Sequence, residues 1–218
     1  MRRHPIGKVD FGELRILKPI SSGFGYDRGL PIDRYYIEGF LEEHSSDILG
    51  KVLEIKDNSY TTRFGSGRVT ESHVLDKNPG PLVTIVEDLN SGDSIPSAMF
   101  DCIIFTNTLQ YVYNFGKAVE TIHRILAPGG VLLATLPSIS RTCFFDSFVD
   151  LWRFTGGSAK MLFEKHFLPT NVQIRTYGNV LTAISFLQGL ASSELTKEEF
   201  DFSDPDFQII VAVRAVKV

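Results

Sequence analysis

Acidic and amide side chains recur at one kind of place in this chain, at or just after the end of a short apolar run. Glu54 lies near the end of "VLEI", Asp76 follows "SHVL", Glu87 and Asp88 follow "TIV", and Thr106 and Asn107 close and follow "CIIFT". Carboxylates and amide oxygens accept hydrogen bonds from sugar hydroxyls, exocyclic amines and ammonium groups, so such a set suits a ligand with a ribose, an adenine and an amine. Any one of these acids alone could equally be a helix N-cap, and it is the recurrence that points to a site. "DLWRFT" adds Trp152 beside Arg153, an aromatic face next to a fork of donors. That pairing suits a sugar, and equally suits a tryptophan that packs a lid onto the core. Asp146, Asp150, Tyr111 and Ser140 lie where they could line an acceptor side and take a proton from a hydroxyl, although none announces itself as the base. His123 reads as structural.

The elements that must position these residues alternate. Five apolar runs read as strands buried on both faces: 51–55, 69–75 in part, 82–86, 101–106 and 130–136. Helical spacing covers 32–43 and 115–126, the second ended by "LAPGG". Beyond residue 137 the pattern predicts a helix over 158–166, an edge-like strand over 172–176, a helix over 181–190 and a final strand over 207–215. The acidic stretch 192–206 reads as a solvated loop, and "FGSGR" (64–68) as a turn. Strands alternating with helices imply a parallel sheet with right-handed crossovers, and ligands of such a sheet sit beyond the carboxyl ends of the strands.

Composition narrows the function classes. The 218 residues read as one domain, and 43% hydrophobic with 22% charged residues suits a globular chain. A net charge of -4 without a basic run argues against nucleic acid as a partner. No apolar run reaches the roughly 18 residues of a membrane span. The two cysteines, Cys102 and Cys143, lie in apolar surroundings and read as core residues in a reducing, cytoplasmic setting, with no metal site.

"VLEI", "TIVEDL", "FDCIIFTNTLQYV" and "RILAPGGVLLATLP" together resemble the class I S-adenosylmethionine-dependent methyltransferases, in that family's order and approximate spacing. "GYDRGLPIDRYYIEGFL", "DLWRFT" and "YGNVLTAISFLQGLA" look more narrowly like members encoded with bacterial surface-polysaccharide biosynthesis. The resemblance implies a single-domain α/β fold, a Rossmann-like seven-stranded, mostly parallel sheet with an antiparallel last strand and flanking helices. Residues 1–50 would form a cap, 51–137 the cofactor-binding core, and 138–218 an acceptor-side lid with the last strands. It implies S-adenosylmethionine as cofactor and methyl transfer to a hydroxyl of a sugar or glycan intermediate. Association with other polysaccharide-biosynthesis proteins would go with it. Glu54 would lie near the methionine end, Asp88 at the adenine amine with Leu89 beside the ring, and Thr106 or Asn107 under the methionine moiety. Asp76 would take the ribose hydroxyls, with His73 as competitor. Tyr26, Arg28 and Gly29 would close over the cofactor, Arg28 pairing with its carboxylate or, alternatively, bridging to Asp33 or Glu38. Trp152 and Arg153 would meet the acceptor.

The chain departs from the family after the first strand, where glycines usually let backbone approach the cofactor and where Lys56, Asp57 and Asn58 stand instead. Asn58, Tyr60 and Thr61 can supply side-chain hydrogen bonds there, and asparagine tolerates left-handed backbone. Lys56 is expected to point outward. The same departure suits a module that has lost catalysis and serves as a binding or scaffolding partner. A nicotinamide-dependent oxidoreductase is disfavoured, because no G-x-G-x-x-G follows the first strand.

Overall fold

The computed structural model describes residues 5–145 and 148–218. Helix α1 (Ile32–Glu43) precedes β1 (Gly50–Ile55), α2 (Ser59–Gly65), β2 (Val69–Asp76), β3 (Ile85–Val86), β4 (Phe100–Thr106), α3 (Phe115–Ile125) and β5 (Leu126–Pro137). A short antiparallel pair, β6 (Phe144–Phe145) and β7 (Phe148–Val149), leads to α4 (Gly156–Phe163), β8 (Val172–Tyr177), α5 (Val180–Gln188), α6 (Lys197–Asp201) and β9 (Ile210–Val216).

Seven strands form one sheet in the order β3-β2-β1-β4-β5-β9-β8, parallel from β3 to β5, with β9 antiparallel to both its neighbours. The expected seven-stranded, mostly parallel architecture is therefore present. Successive strand residues face opposite sides, so each central strand feeds two cores. Leu53, Ile103, Leu132 and Ala134 pack under α3 and α4, while Val52, Cys102, Ile104 and Leu133 pack under α1, α2 and α5. Both cysteines are buried and free. Among the described residues no helix is long and apolar enough to cross a membrane.

Four elements differ from the sequence expectation. Strand β3 is two residues long, because Leu82 is exposed and the run before Ile85 makes a turn. Strand β5 begins at Leu126, so "LAPGG" lies inside the strand; Gly129 takes φ 78° there, and its N–H reaches the Lys217 carbonyl at 2.7 Å. Helix α2 follows the glycine-poor loop. Helix α6 lies within the stretch read as a solvated loop, where buried Phe200 stacks on Tyr35 with ring centroids 3.9 Å apart. The 64–68 turn is present: Gly65 ends α2, and Ser66 and Gly67 adopt left-handed backbone before β2.

Candidate functional site

The chain runs outward from β1 through β2 to β3 and then returns to place β4 on the other side of β1, so the strand order reverses between β1 and β4. The carboxyl ends of these two strands are the position at which an open α/β sheet holds ligands in its crevice.

Glu54 forms its floor and is 3% exposed. Its carboxylate accepts from the Tyr60 N–H at 3.2 Å, the Thr61 N–H at 2.7 Å and Thr61 Oγ1 at 2.7 Å. Burial pushes this carboxyl up to about 7, against the lowering effect of the Thr61 and Tyr60 bonds. Glu54, expected near the methionine end, has its oxygens engaged within the chain. Its oxygens cap the first turn of α2, whose free N–H groups and dipole favour a carboxylate. Thr61 accordingly supports Glu54, and the Tyr60 phenol accepts from Arg34 at 3.1 Å. Asn58 Nδ2 reaches Ser72 Oγ at 3.4 Å. Lys56 is exposed, with φ 77° and its N–H on the Leu75 carbonyl at 2.9 Å.

Next to this floor stands one residue that was not legible as part of a site from the sequence. Asp33, 8% exposed in the first turn of α1, accepts from Asn107 Nδ2 at 3.2 Å. Burial raises its carboxyl, with neighbouring Arg34 opposing. Asn107 adopts φ 43°, and its carbonyl accepts from Gln110 Nε2 at 2.7 Å. Arg34 in turn donates to the Tyr26 phenol at 3.0 Å. An acid at a helix start normally reads as a cap, which hid Asp33.

Among the described residues, the buried side-chain atoms without a hydrogen-bond partner are Asn107 Oδ1, Gln110 Oε1, Thr135 Oγ1, Arg141 Nε and Arg153 Nε. They gather at one edge. Asn107 and Gln110 follow β4, Thr135 pairs with Thr106 near the end of β5, and Arg141 and Arg153 come from the segments after β5. Buried polar groups are normally satisfied, so these atoms are candidates for hydrogen bonds to a ligand or to water.

The outer acids sit at strand ends as expected. Asp76 is half-buried at the end of β2 and accepts from the Asn78 N–H at 2.8 Å. Asp88 is exposed and accepts from the Asn90 N–H and Nδ2, while Leu89 beside it is buried. Thr106 is half-buried at the end of β4. His73 turns to Glu71, at 3.3 Å, and lies edge-on to Phe100, which removes it as competitor for the ribose position. Over the crevice, the Arg141 guanidinium lies 3.8 Å from the centre of the Phe24 ring. Arg28 pairs with a carboxylate of this chain. Its Nε donates to Glu194 at 3.0 Å and its terminal nitrogen pairs with the same carboxylate, so neither Asp33 nor Glu38 is its partner. Gly29, φ 150°, faces Ala191, so the segment from Tyr26 to Gly29 is clamped to the chain beyond α5.

The acceptor side is more tightly built than expected. Asp150 accepts from both terminal nitrogens of Arg153, at 2.5 and 2.7 Å, and from the Cys143 N–H at 2.9 Å. That leaves Asp150 poorly placed as a general base. Arg153 also donates to the carbonyls of Arg141 and Trp152, at 2.8 Å each. Trp152 donates its indole N–H to the Val112 carbonyl at 3.1 Å and lies edge-on to Phe115, a packing role instead of an open stacking face. Tyr111 is half-buried, and burial raises its phenol. Ser140 donates to the Arg141 carbonyl at 3.2 Å. Asp146 lies outside the described residues. His123 lies edge-on to Phe167, consistent with a structural role.

This crevice fits S-adenosylmethionine. Asn107 Oδ1 and Gln110 Oε1 are buried acceptors without a donor, as an ammonium requires, and Asp76 and Asp88 offer carboxylate acceptors at the end of β2 and just after β3.

Residues 53–134 match the family model described as a methyltransferase domain. Matched curated relatives are polyketide synthases of Dictyostelium discoideum; probable polyketide synthase 5 is 37% identical over 76 residues, 34% of this chain and 3% of that protein. The chain thus spans only a small fraction of the length of these relatives. Among solved structures, an S-adenosylmethionine-dependent methyltransferase from Archaeoglobus fulgidus aligns with TM-score 0.56 at 12% identity, covering 84% of this chain and 94% of that one. The N-methyltransferase NodS from Bradyrhizobium japonicum, in complex with S-adenosyl-L-homocysteine, aligns with TM-score 0.55 at 12% identity, covering 91% and 94%. Residues 53–134 thus match a methyltransferase-domain model, and the chain as a whole has the class I S-adenosylmethionine-dependent methyltransferase fold.

Proposed function

We propose that the protein transfers a methyl group from S-adenosylmethionine to a hydroxyl of a sugar or glycan intermediate, in the cytoplasm, alongside other polysaccharide-biosynthesis proteins. The observation that carries the reading is the row of unpartnered buried polar atoms at the ends of β4 and β5. When bound, the cofactor supplies an electrophilic methyl group on a sulfonium.

The chain's own residues align and exclude. Asp88 holds the adenine amine with Leu89 against the ring, Asp76 holds the ribose hydroxyls, and Asn107 Oδ1 accepts from the ammonium. Thr106 lies beneath the methionine moiety. Asp33 fixes Asn107 in its left-handed conformation, and Glu54 holds α2 and the loop before it. The contact of Phe24 with Arg141 keeps water from the crevice. In-line displacement depends on such alignment more than on any single group. On the acceptor side, Arg153 presents Nε while its other nitrogens hold Asp150, and the neutral Tyr111 phenol can hydrogen-bond the acceptor but does not take its proton, because burial raises it.

Isothermal calorimetry with S-adenosylmethionine and S-adenosylhomocysteine tests the cofactor, and methyl transfer to hydroxylated saccharides tests the acceptor. Asp88→Ala removes one charge-assisted hydrogen bond, worth roughly 1.5 to 3 kcal/mol, and should weaken cofactor binding by about ten- to a hundredfold in a folded protein. An unchanged dissociation constant removes Asp88 from the site. A second reading, a module that binds without catalysis, is favoured by Lys56 standing with φ 77° where the family has glycine. Absence of cofactor binding in the folded protein would select it.

A further inference from the structure

Two surfaces of the molecule are apolar, exposed and outside the crevice. The first is the segment ahead of α1. Residues 5–20 are exposed throughout and carry Ile6, Val9, Phe11, Leu14, Ile16, Leu17 and Ile20, of which Ile6 and Leu17 have no cover at all. The second is the outer face of α5. Val180, Leu181, Ile184 and Leu187 are each 40–49% exposed and share one face of the helix, while Ala183 and Phe186 pack inward. A contiguous apolar stripe on a surface helix marks an interaction site.

The two are linked at one point. The Ile20 N–H donates to Gln188 Oε1 at 3.3 Å and the Ser21 N–H to the Gln188 carbonyl at 3.0 Å, so the arm leaves the body at the carboxyl end of α5. It does not lie along its own stripe, since both remain exposed. Their charges are opposite. Lys8, Arg15 and Lys18 outnumber Asp10 and Glu13 on the arm, with Arg2 and Arg3 before it in sequence. Residues 192–206 carry Glu194, Glu198, Glu199, Asp201, Asp204 and Asp206 against one cation, Lys197. This acidic segment is joined to the start of α5 by Asn179 Nδ2, which donates to the Glu199 and Phe202 carbonyls at 2.7 Å each.

We propose that two copies of this chain associate by exchanging arms, each arm lying on the α5 stripe of the other copy with its cations against that copy's 192–206 segment. A second copy supplies both complementary features at once. A lipid surface does not, because the acids flanking the stripe repel an anionic bilayer. The stripe extends about 10 Å at 1.5 Å per residue, whereas sixteen extended residues reach about 50 Å, enough to cross to a neighbour. Each copy contributes both an arm and a receiving face, so the contact is two-fold and closed, and arm, stripe and acidic segment together approach the roughly 20 to 30 residues a side of a standard interface.

The test is sedimentation velocity with light scattering on the full chain. A species of twice the 24.4 kDa chain mass is expected. Deletion of residues 5–19, or Leu181→Ser with Ile184→Ser, should raise the dimer dissociation constant at least a hundredfold, with circular dichroism confirming the fold. Lys8→Glu with Lys18→Glu should weaken it at low salt and less so at high salt. Leu17→Cys with Ile184→Cys should oxidise to a covalent dimer; the native cysteines are both buried and do not compete. A monomeric full chain overturns the proposal, as does a cross-link within one chain. Flotation of the monomer with anionic vesicles would overturn it in favour of a membrane surface.

Discussion

Asn107 Nδ2 donates to Asp33 Oδ2 at 3.2 Å, tying the first turn of α1 to the end of β4. The bond crosses from the cap to the sheet. It turns Asn107 Oδ1 away from Asp33, and that oxygen is one of the five buried atoms without a partner. Asp33→Ala should therefore release the amide and leave it unpaired. The expected cost is about 1 to 3 kcal/mol in unfolding free energy, with at least a tenfold loss of S-adenosylhomocysteine affinity. Urea denaturation and calorimetry read the two effects. Full affinity in the variant would separate α1 from the site.

Lys56 holds left-handed backbone that costs a non-glycine residue roughly 1 to 2 kcal/mol, partly offset by the greater unfolded-state freedom of glycine. Lys56→Gly should stabilise the protein by about 0.5 to 1 kcal/mol. Cofactor affinity should change by less than about tenfold, because the ammonium is exposed and its charge stays in water. A hundredfold gain from a barely binding parent would instead identify a degenerate site.

Glu54 makes stability depend on pH. Its folded carboxyl titrates at about 7, above its ordinary value of 4.5, so the folded state holds a proton that the unfolded state has released. Stability should fall as pH rises from about 4.5 to 7 and then level, a loss of up to about 3 kcal/mol from this group. Glu54→Gln keeps an acceptor for α2 and removes the titration. Guanidinium denaturation at pH 5 and pH 8 should show a smaller difference in the variant, and equal slopes for both proteins would refute the assignment.

Arg153 and Asp150 form a part-buried pair, the Asp150 side chain being 3% exposed. Arg153→Ala leaves that carboxylate without its cation, which typically costs about 3 to 5 kcal/mol. Replacing both, Arg153→Met with Asp150→Leu, should recover much of the loss. Thermal melts decide the matter. A melting temperature unchanged in the single variant would show that the arginine is free to serve the acceptor alone.

Long periodic elements were legible, because burial follows spacing. Helix α1 spans 32–43 as its apolar rhythm indicates, and α3 ends one residue before the expected boundary. Helix α2 was hidden. Its seven residues carry Tyr, two Thr and Phe, all weak helix formers, and the carboxylate that caps it comes from Glu54 on β1. Helix α6 was masked by its acids, since only Phe200 of its five residues is buried. At the site, acids after strands were visible one by one, but their partners are distant in sequence. Asp33 with Asn107 and Arg28 with Glu194 join positions that no local pattern connects.

The connection from β3 to β4 has a kinetic consequence. Among the described residues, 87–99 form no helix, and β3 holds β2 through only two residues. Arg124 fastens this loop, donating to the Ile95 carbonyl at 2.6 Å, the Gly92 carbonyl at 2.5 Å and Ser97 Oγ at 3.2 Å. Buried Leu89 and Ile95 and the Asn114 N–H on Asn90 Oδ1 at 3.0 Å add to its hold, but a segment outside the ladder of the sheet can open without unfolding the sheet. Its amides should exchange with solvent well ahead of those in β1, β4 and β5. Asp88 and Leu89 belong to that segment, so under the proposed cofactor reading its opening would set the rate at which the adenine end is gained and lost while β1, β4 and β5 stay closed.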